Sequence, residues 1–432
     1  MRVEKSQALY RDAKQYLSGG LCSPAGAFRA VGRDPRFIVG GSGGHIFDVD
    51  GNEYVDYTLS RGALVLGHAH PKVVRALSDA VSEGVGACGP TERETLLAKS
   101  IIDAVPSVDT VRFTGSETEA TVSAIRLARA HTKRRKVVKF AGCYHGYADS
   151  LPAQAAAAAA GGARPLGGPC EVLLSDISVV PYNDLESAEV IVKSQQREIA
   201  AIIVEPVATN MGVVPPAPDF LAGLRALCDQ YGILLIFDEV ATAFRVGWGG
   251  AAALYGVGAD ITCLGRVIGG GLPLGAYGGR REVMQAEDED SECHPHGALS
   301  ANPLALTAGV VTLRELRDGR AYAQLELLGA ALADGLRAAA EGTEASVVIN
   351  RVGSLMAVYF SEAEVTDFAS ACASSSDAFK RYFGHMIESG IHIAPSRFGC
   401  MCVSLAHTEE DLQRTVEVAA EAFAKVTKEQ GT

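Results

Sequence analysis

Apolar residues recur along this chain with two spacings, and the spacings divide it. Helical periodicity covers roughly 4–17, 71–84, 92–104 and 116–131, and returns at 220–231 and 320–342. Between 44 and 57, apolar positions alternate on both sides of Asp50-Gly51-Asn52. That pattern predicts a β-hairpin, since Asp-Gly supplies the backbone freedom a tight turn requires. From about 108 to 280 strand and helix patterns take turns. The runs 136–140, 198–205 and 233–238 read as short strands, the last two strongly apolar. Apolar strands separated by helices predict an α/β fold whose parallel sheet is covered on both faces. Ligands bind such sheets beyond the carboxyl ends of the strands, where Glu205 and Asp238-Glu239 follow their runs.

The rest of the chain reads as a smaller α+β unit. Segment 345–430 alternates short strands with helices and closes on an amphipathic helix from Glu409. The expected division is an N-terminal segment 1–60 joined to the small domain, a large domain 61–318, and a C-terminal small domain 319–432. The alanine-rich run 153–160, followed by Gly161-Gly162, reads either as a mobile flap or as an Ala-rich helix cap.

Composition narrows the function classes. A chain of 432 residues, 48% of them hydrophobic, can bury a large core in two or three units. Its 39 basic and 51 acidic residues leave a formal charge of −12, with no basic stretch suited to nucleic acid. Lys133-Arg134-Arg135-Lys136 follows a predicted helix, where cations face the negative end of the dipole. No apolar run approaches a membrane span, and the first residues lack a signal peptide's apolar core, so a soluble cytoplasmic protein is expected. Ten cysteines are scattered, and only Cys400 and Cys402 are close together. That spacing does not make a zinc site, so no metal is expected. Most are expected to be buried small hydrophobes, with Cys143 and Cys263 considered as reactive thiols because they flank candidate site segments.

Several motifs in order carry a resemblance. They are Asp48-Val49-Asp50-Gly51-Asn52-Glu53, Leu66-Gly67-His68-Ala69-His70-Pro71, Gly142-Cys143-Tyr144-His145-Gly146, Val204-Glu205-Pro206-Val207, Phe237-Asp238-Glu239-Val240, Gly269-Gly270-Gly271-Leu272-Pro273 and Ser404-Leu405-Ala406-His407-Thr408. Together they resemble the glutamate-1-semialdehyde aminomutases, class III aminotransferase relatives of pyridoxal-phosphate (PLP) fold type I. The resemblance runs through most of the chain and implies a homodimer with a mostly parallel seven-stranded sheet in its large domain. It implies that Asp238 pairs with the pyridine nitrogen of PLP and that Tyr144 stacks on the ring, with His145 beside it. Ser116 and Thr118 would cup the phosphate at a helix N-terminus. Glu205, Asn210 and Val240 belong to the same implied pocket.

The departures from that pattern are concentrated on chemistry. The family's cofactor lysine is Arg266, whose guanidinium stays protonated and cannot form a Schiff base. The phosphate turn Ser-Gly-Thr reads Ser116-Glu117-Thr118, placing a carboxylate beside a phosphate. A threonine that reaches the phosphate from the partner subunit is Ala298. On the substrate side, Ser23-Pro24-Ala25-Gly26 lacks the family's arginine, Arg61 replaces a tryptophan, and Arg397 and Gly399 stand where the family has glutamine and glutamate. Taken singly, each arginine is a surface or salt-bridged side chain, and Arg266 could neutralise Glu117 or Asp238. Taken together, Arg61, Arg266 and Arg397 are expected to converge on one cleft and make it more cationic.

Three readings follow. The first is an enzyme without lysine chemistry that holds PLP or its amine form (PMP) non-covalently, or no cofactor. It acts on a small anionic amine or amino-acid-like metabolite, with Ser23, Arg61 and Arg397 binding substrate and Arg266, His145 and Glu239 as catalytic candidates. The second is a non-catalytic paralogue or binding partner. The third is an aminotransferase or aminomutase as the family name implies, which Arg266 makes chemically weakest. A single Lys→Arg exchange would explain position 266 but not Gly26, Arg61, Glu117, Ala298 or Gly399.

Overall fold

A computed structural model describes residues 1–22, 28–86, 89–148, 175–287 and 300–428. Near the N-terminus lie β1 (Ile38–Ser42), β2 (His45–Asp48) and β3 (Glu53–Asp56). The strands of the large unit are β4 (Thr110–Thr114), β5 (Lys136–Phe140), β6 (Ile177–Val180), β7 (Ile199–Val204), β8 (Leu234–Asp238), β9 (Ile261–Leu264) and β10 (Gly275–Gly279). Toward the C-terminus follow β11 (Val347–Val352), β12 (Leu355–Phe360), β13 (Ile391–His392) and β14 (Met401–Cys402).

The large sheet has the order β4-β10-β9-β8-β7-β5-β6. β5 through β9 pair in parallel, and every residue of β7 and β8 is buried, as expected of strands covered by helices on both faces. One strand departs from the parallel expectation: β10 runs antiparallel to both β4 and β9. The link from β9 to β10 is residues 265–274, too short to carry a crossover back to a parallel start. Helix Glu92–Ala104 begins with a capping box between Thr91 and Glu94, and helix Glu117–Thr132 is capped by Ser116. The basic run that ends the latter has structural partners. Lys133 adopts a left-handed φ of 57°, Arg134 donates to the carbonyls of Ile199, Tyr231 and Gly232, and Arg135 and Lys136 pair with Asp176 and Glu198.

The N-terminal hairpin belongs with the C-terminal elements. β13 pairs in parallel with β3, completing the sheet β1-β2-β3-β13, while β11, β12 and β14 form a third sheet. Phe28, Val31, Ile46 and Tyr54 share one core with Phe379, Tyr382, Phe383 and Phe423. At the seam, buried Asp56 bonds His68 Nε2 at 2.8 Å and His392 Nδ1 at 2.9 Å. Burial opposes its ionisation, but the bonds from His392, His68 and Thr58 outweigh that and hold its pKa below the usual carboxylate range.

His407 sits against the same seam. It stacks on Tyr57 with ring centroids 4.7 Å apart, and its Nδ1 accepts from the Ser404 amide at 3.0 Å. Burial pushes its pKa down to about 4. Between that value and about 6.5 the unfolded chain binds a proton that the folded chain refuses, so stability falls as pH falls through this window. His407 alone should remove on the order of 3 kcal/mol between neutral pH and about pH 4. Asp56 acts with the same sign at lower pH, whereas half-exposed His45, raised by Asp411 and Glu53 against the effect of burial, acts oppositely. Urea midpoints measured from pH 7 down to about pH 4.5 should therefore decline, and His407→Gln should flatten the decline. A level wild-type profile across that range would refute this assignment.

Candidate active site

The carboxyl ends of β5, β7, β8 and β9 open into a cavity of about 690 Å³. Its floor is a set of buried acids whose oxygens are all in use. Glu205, after β7, accepts from the Tyr144 amide at 2.7 Å, Asn210 Nδ2 at 3.0 Å, the Thr209 amide at 2.8 Å and the Thr209 hydroxyl at 3.0 Å. Burial first, then the nearby Asp238, raise its pKa. Asp238 ends β8: one oxygen accepts from the Val240 amide at 3.1 Å and the other lies 2.7 Å from His145 Nδ1. The His145 ring is buried, and its Nε2 has no hydrogen-bond partner among the described residues.

Beneath this floor lies a residue that sequence reading passed over. Lys139 of β5 is 2% exposed, and burial lowers its pKa against the opposing pull of Cys143, Glu205 and Asp238. The available signal was a lone cation inside Val137-Val138-Lys139-Phe140, a strand that is otherwise apolar there. A lysine in the interior face of a buried strand implies acids opposite it.

The other end of the cavity is the start of helix Glu117–Thr132. The first amides of a helix have no intrahelical acceptor, so they favour an anion. Ser116 Oγ accepts from the Glu119 amide at 3.2 Å, which leaves its own O–H free to donate outward. Thr118 packs against Gly146, whose φ is 100°; a Cβ there would stand 2.8 Å from the Thr118 hydroxyl. Glycine is what lets the segment after His145 approach the helix start.

Arg266 stands between these two ends, just beyond β9, with a left-handed φ of 49°. Its amide donates to Glu117 Oε1 at 3.1 Å, its Nε lies 3.4 Å from the same oxygen, and its Nη1 donates to the Arg61 carbonyl. Of the two acids open to it from sequence, the partner is Glu117. Arg61 is exposed at the cavity mouth. Partial burial first, then repulsion from Arg266, lower its pKa.

The structure thus brings Ser116, Thr118, Tyr144, His145, Glu205, Asn210, Asp238, Val240, Arg61 and Arg266 to one cavity. Two expectations are corrected. Arg397 does not converge with the other arginines: its Nη1 donates to the carbonyls of Cys372 and Ser374, and its guanidinium lies over the Phe398 ring. The cavity therefore gains two arginines, not three. Glu239 does not face the cavity either. It is 1% exposed and accepts from the amides of Ala251 and Ala252 and from the Thr242 hydroxyl, anchoring the turn that starts at Gly250. Cys143 and Cys263 are fully buried, and burial raises both thiols well above their ordinary pKa, which removes them as reactive candidates. Ser23, Gly26, Ala298 and the alanine-rich run lie outside the described residues. No group of three or more metal-binding side chains occurs among the described residues, and no described helix is long and apolar enough to cross a membrane.

Residues 28–423 match the family Aminotransferase class-III. This chain belongs to that family. It is 50% identical over 423 residues to a glutamate-1-semialdehyde 2,1-aminomutase of Pelotomaculum thermopropionicum, covering 97% of each chain. An omega-transaminase from Sphaerobacter thermophilus superimposes with a TM-score of 0.91 at 31% identity, over 99% of this chain and 100% of the other. A glutamate-1-semialdehyde aminomutase from Pseudomonas aeruginosa, with a lysine replaced by alanine and in complex with PMP, has a TM-score of 0.87 at 25% identity over 98% and 94% of the two chains. The fold is that of PLP fold type I. The residues present suit such a coenzyme. Asp238 braced by His145 suits a protonated ring nitrogen, the helix start with Ser116 and Thr118 suits a phosphate, and Arg266 is occupied with Glu117 and the Arg61 carbonyl.

Proposed function

We propose that this class III aminotransferase relative holds PMP or PLP non-covalently and acts on a small anionic amine or amino-acid-like metabolite without ordinary transamination. A soluble, cytoplasmic homodimer is part of this reading. One observation carries it: the buried Asp238–His145 pair and the Glu205–Asn210 floor stand complete beside Arg266, whose guanidinium is committed to Glu117 and the Arg61 carbonyl. The lysine-substituted aminomutase bound to PMP is an example of this fold retaining the amine form of the coenzyme.

When bound, the coenzyme supplies an electron-withdrawing ring that stabilises negative charge on an attached carbon. The chain's residues do the rest. Asp238 would pair with the ring nitrogen, and His145 fixes that carboxylate through Nδ1. Tyr144, which lines the cavity, would cover the ring. Arg61, the cation at the mouth, grips a substrate carboxylate, with Arg266 adding to the field. No primary amine stands at position 266 to take the proton from the substrate α-carbon and relay it in a 1,3-shift, so ordinary transamination lacks its base.

A non-catalytic role draws support from Glu117, whose carboxylate lies beside the helix start that would receive a phosphate. Calorimetry with PMP separates the two: saturable binding supports a coenzyme site, and none favours the non-catalytic reading. In the PMP-loaded protein, glutamate and glutarate serve as carboxylate probes. Arg61→Glu should weaken them by roughly 10-fold to 100-fold, as loss of a charged hydrogen bond implies, while changing PMP affinity much less. Equal probe affinity in the two proteins would remove Arg61 from the substrate site.

A further inference from the structure

We propose that Cys400 and Cys402 form a reversible redox site, a dithiol that a small peroxide converts into an intrachain disulfide. The two sulfur atoms lie 3.9 Å apart, within a short side-chain rotation of bonding. Cys402 is held on β14, its amide donating to the Tyr57 carbonyl at 2.7 Å, whereas Cys400 is partly exposed.

An independent observation gives one of these sulfurs a reason to carry charge. Arg245 is 1% exposed, and among the described residues no oxygen or nitrogen accepts a hydrogen bond from its three guanidinium nitrogens, which leaves the Cys402 sulfur as the acceptor beside it. A bare buried guanidinium is costly, and such cations are normally paired. Cys402, Cys400, Tyr322 and His407 are titratable side chains that feel its charge. A Cβ placed on Gly62 would meet Cys402 Sγ at 3.3 Å and Arg245 Nε at 4.0 Å, so sulfur and cation border the same point. A thiolate at Cys402 supplies the missing anion. The bond from Cys400 first, then Arg245 and Arg266, lower the Cys402 pKa, while the same bond and burial raise that of Cys400. The proton stays on Cys400 and the negative charge on Cys402.

The chemistry balances with hydrogen peroxide as oxidant. The Cys402 thiolate attacks one peroxide oxygen, the O–O bond breaks, and hydroxide leaves to be protonated to water. Cys400 sulfur then attacks the sulfenic sulfur, the S–O bond breaks, and the thiol proton departs with that oxygen as a second water. Two thiols lose two electrons and one peroxide gains them. Residues i and i+2 of an extended chain are about 6.6 Å apart, the upper edge of what a disulfide spans, so the bridge should be easily reduced again.

Peptide mapping tests this. After one equivalent of peroxide, the tryptic peptide 398–414, which holds both cysteines, should lose two hydrogens and resist iodoacetamide, and dithiothreitol should restore both properties. Cys400→Ser should instead leave a sulfenic acid on Cys402 that dimedone traps; Cys402→Ser should leave Cys400 unoxidised at the same dose. Arg245→Met should slow alkylation of Cys402 at pH 7 roughly tenfold. Because that variant removes a buried charge and could fail to fold, the pH dependence of alkylation in the unmodified protein is measured alongside it. Cys402 should reach half-maximal reactivity well below Cys228 or a free thiol. Full alkylation of both cysteines after peroxide, or a Cys402 profile matching a free thiol, overturns the proposal.

Discussion

Mixed with PLP, reduced with borohydride and weighed intact, the protein should keep its unmodified mass. A covalent link needs a primary amine, and position 266 offers a guanidinium instead. Arg266→Lys should gain one pyridoxyl group under the same treatment, since the backbone at 266 already faces the cavity. It should not gain aminomutase activity: with the lysine amine tied to the coenzyme, Glu117 would have lost the guanidinium it now pairs with and would stand beside the phosphate site. An adduct on the unmodified protein, most informatively on Lys139, would overturn the non-covalent reading. Recovery of aminomutase activity by that single change would show that Glu117 and Arg61 matter less than argued.

Lys139→Met should be strongly destabilising. Lys139 is the buried cation beneath Glu205 and Asp238, and removing one member of a buried charge group typically costs about 3–5 kcal/mol. The same replacement at Lys136, at the other end of β5 and paired with half-exposed Glu198, should cost under about 1 kcal/mol. Equal urea midpoints for the two variants would mean that Lys139 does not balance the floor.

Much of the fold was legible because periodicity and capping agree with it. The strand pattern at 136–140 and the helix patterns at 92–104 and 220–231 coincide with β5, Glu92–Ala104 and Phe220–Tyr231. The direction of β10 was not legible, since side-chain alternation is the same for parallel and antiparallel strands. The strand-end acids were visible as charges directly after apolar runs, yet that pattern cannot say which way a side chain turns. Asp238 and Glu239 are adjacent, and one faces the cavity while the other caps a turn behind it. Arg397 failed similarly: its position in a motif says nothing of the carbonyls of Cys372 and Ser374, which come from a distant segment and capture it. Lys139 and Arg245 were missed because a single cation in an apolar stretch looks like a surface residue until burial is known.

The loop bearing Arg61 carries a further implication. Leu59, Ser60 and Arg61 hold φ values of 44°, 53° and 60° in succession, and Gly62 follows at 88°. Left-handed backbone at a residue with a side chain costs of order 1–3 kcal/mol, and it persists here because Asp56 accepts from the amides of Thr58 and Leu59. Glycine at 60 or 61 would relax this turn, so selection for stability alone would tend to erase the arginine. A screen for heat-resistant variants should therefore be drawn to this loop first, and its winners would be sturdier proteins with a blunted mouth.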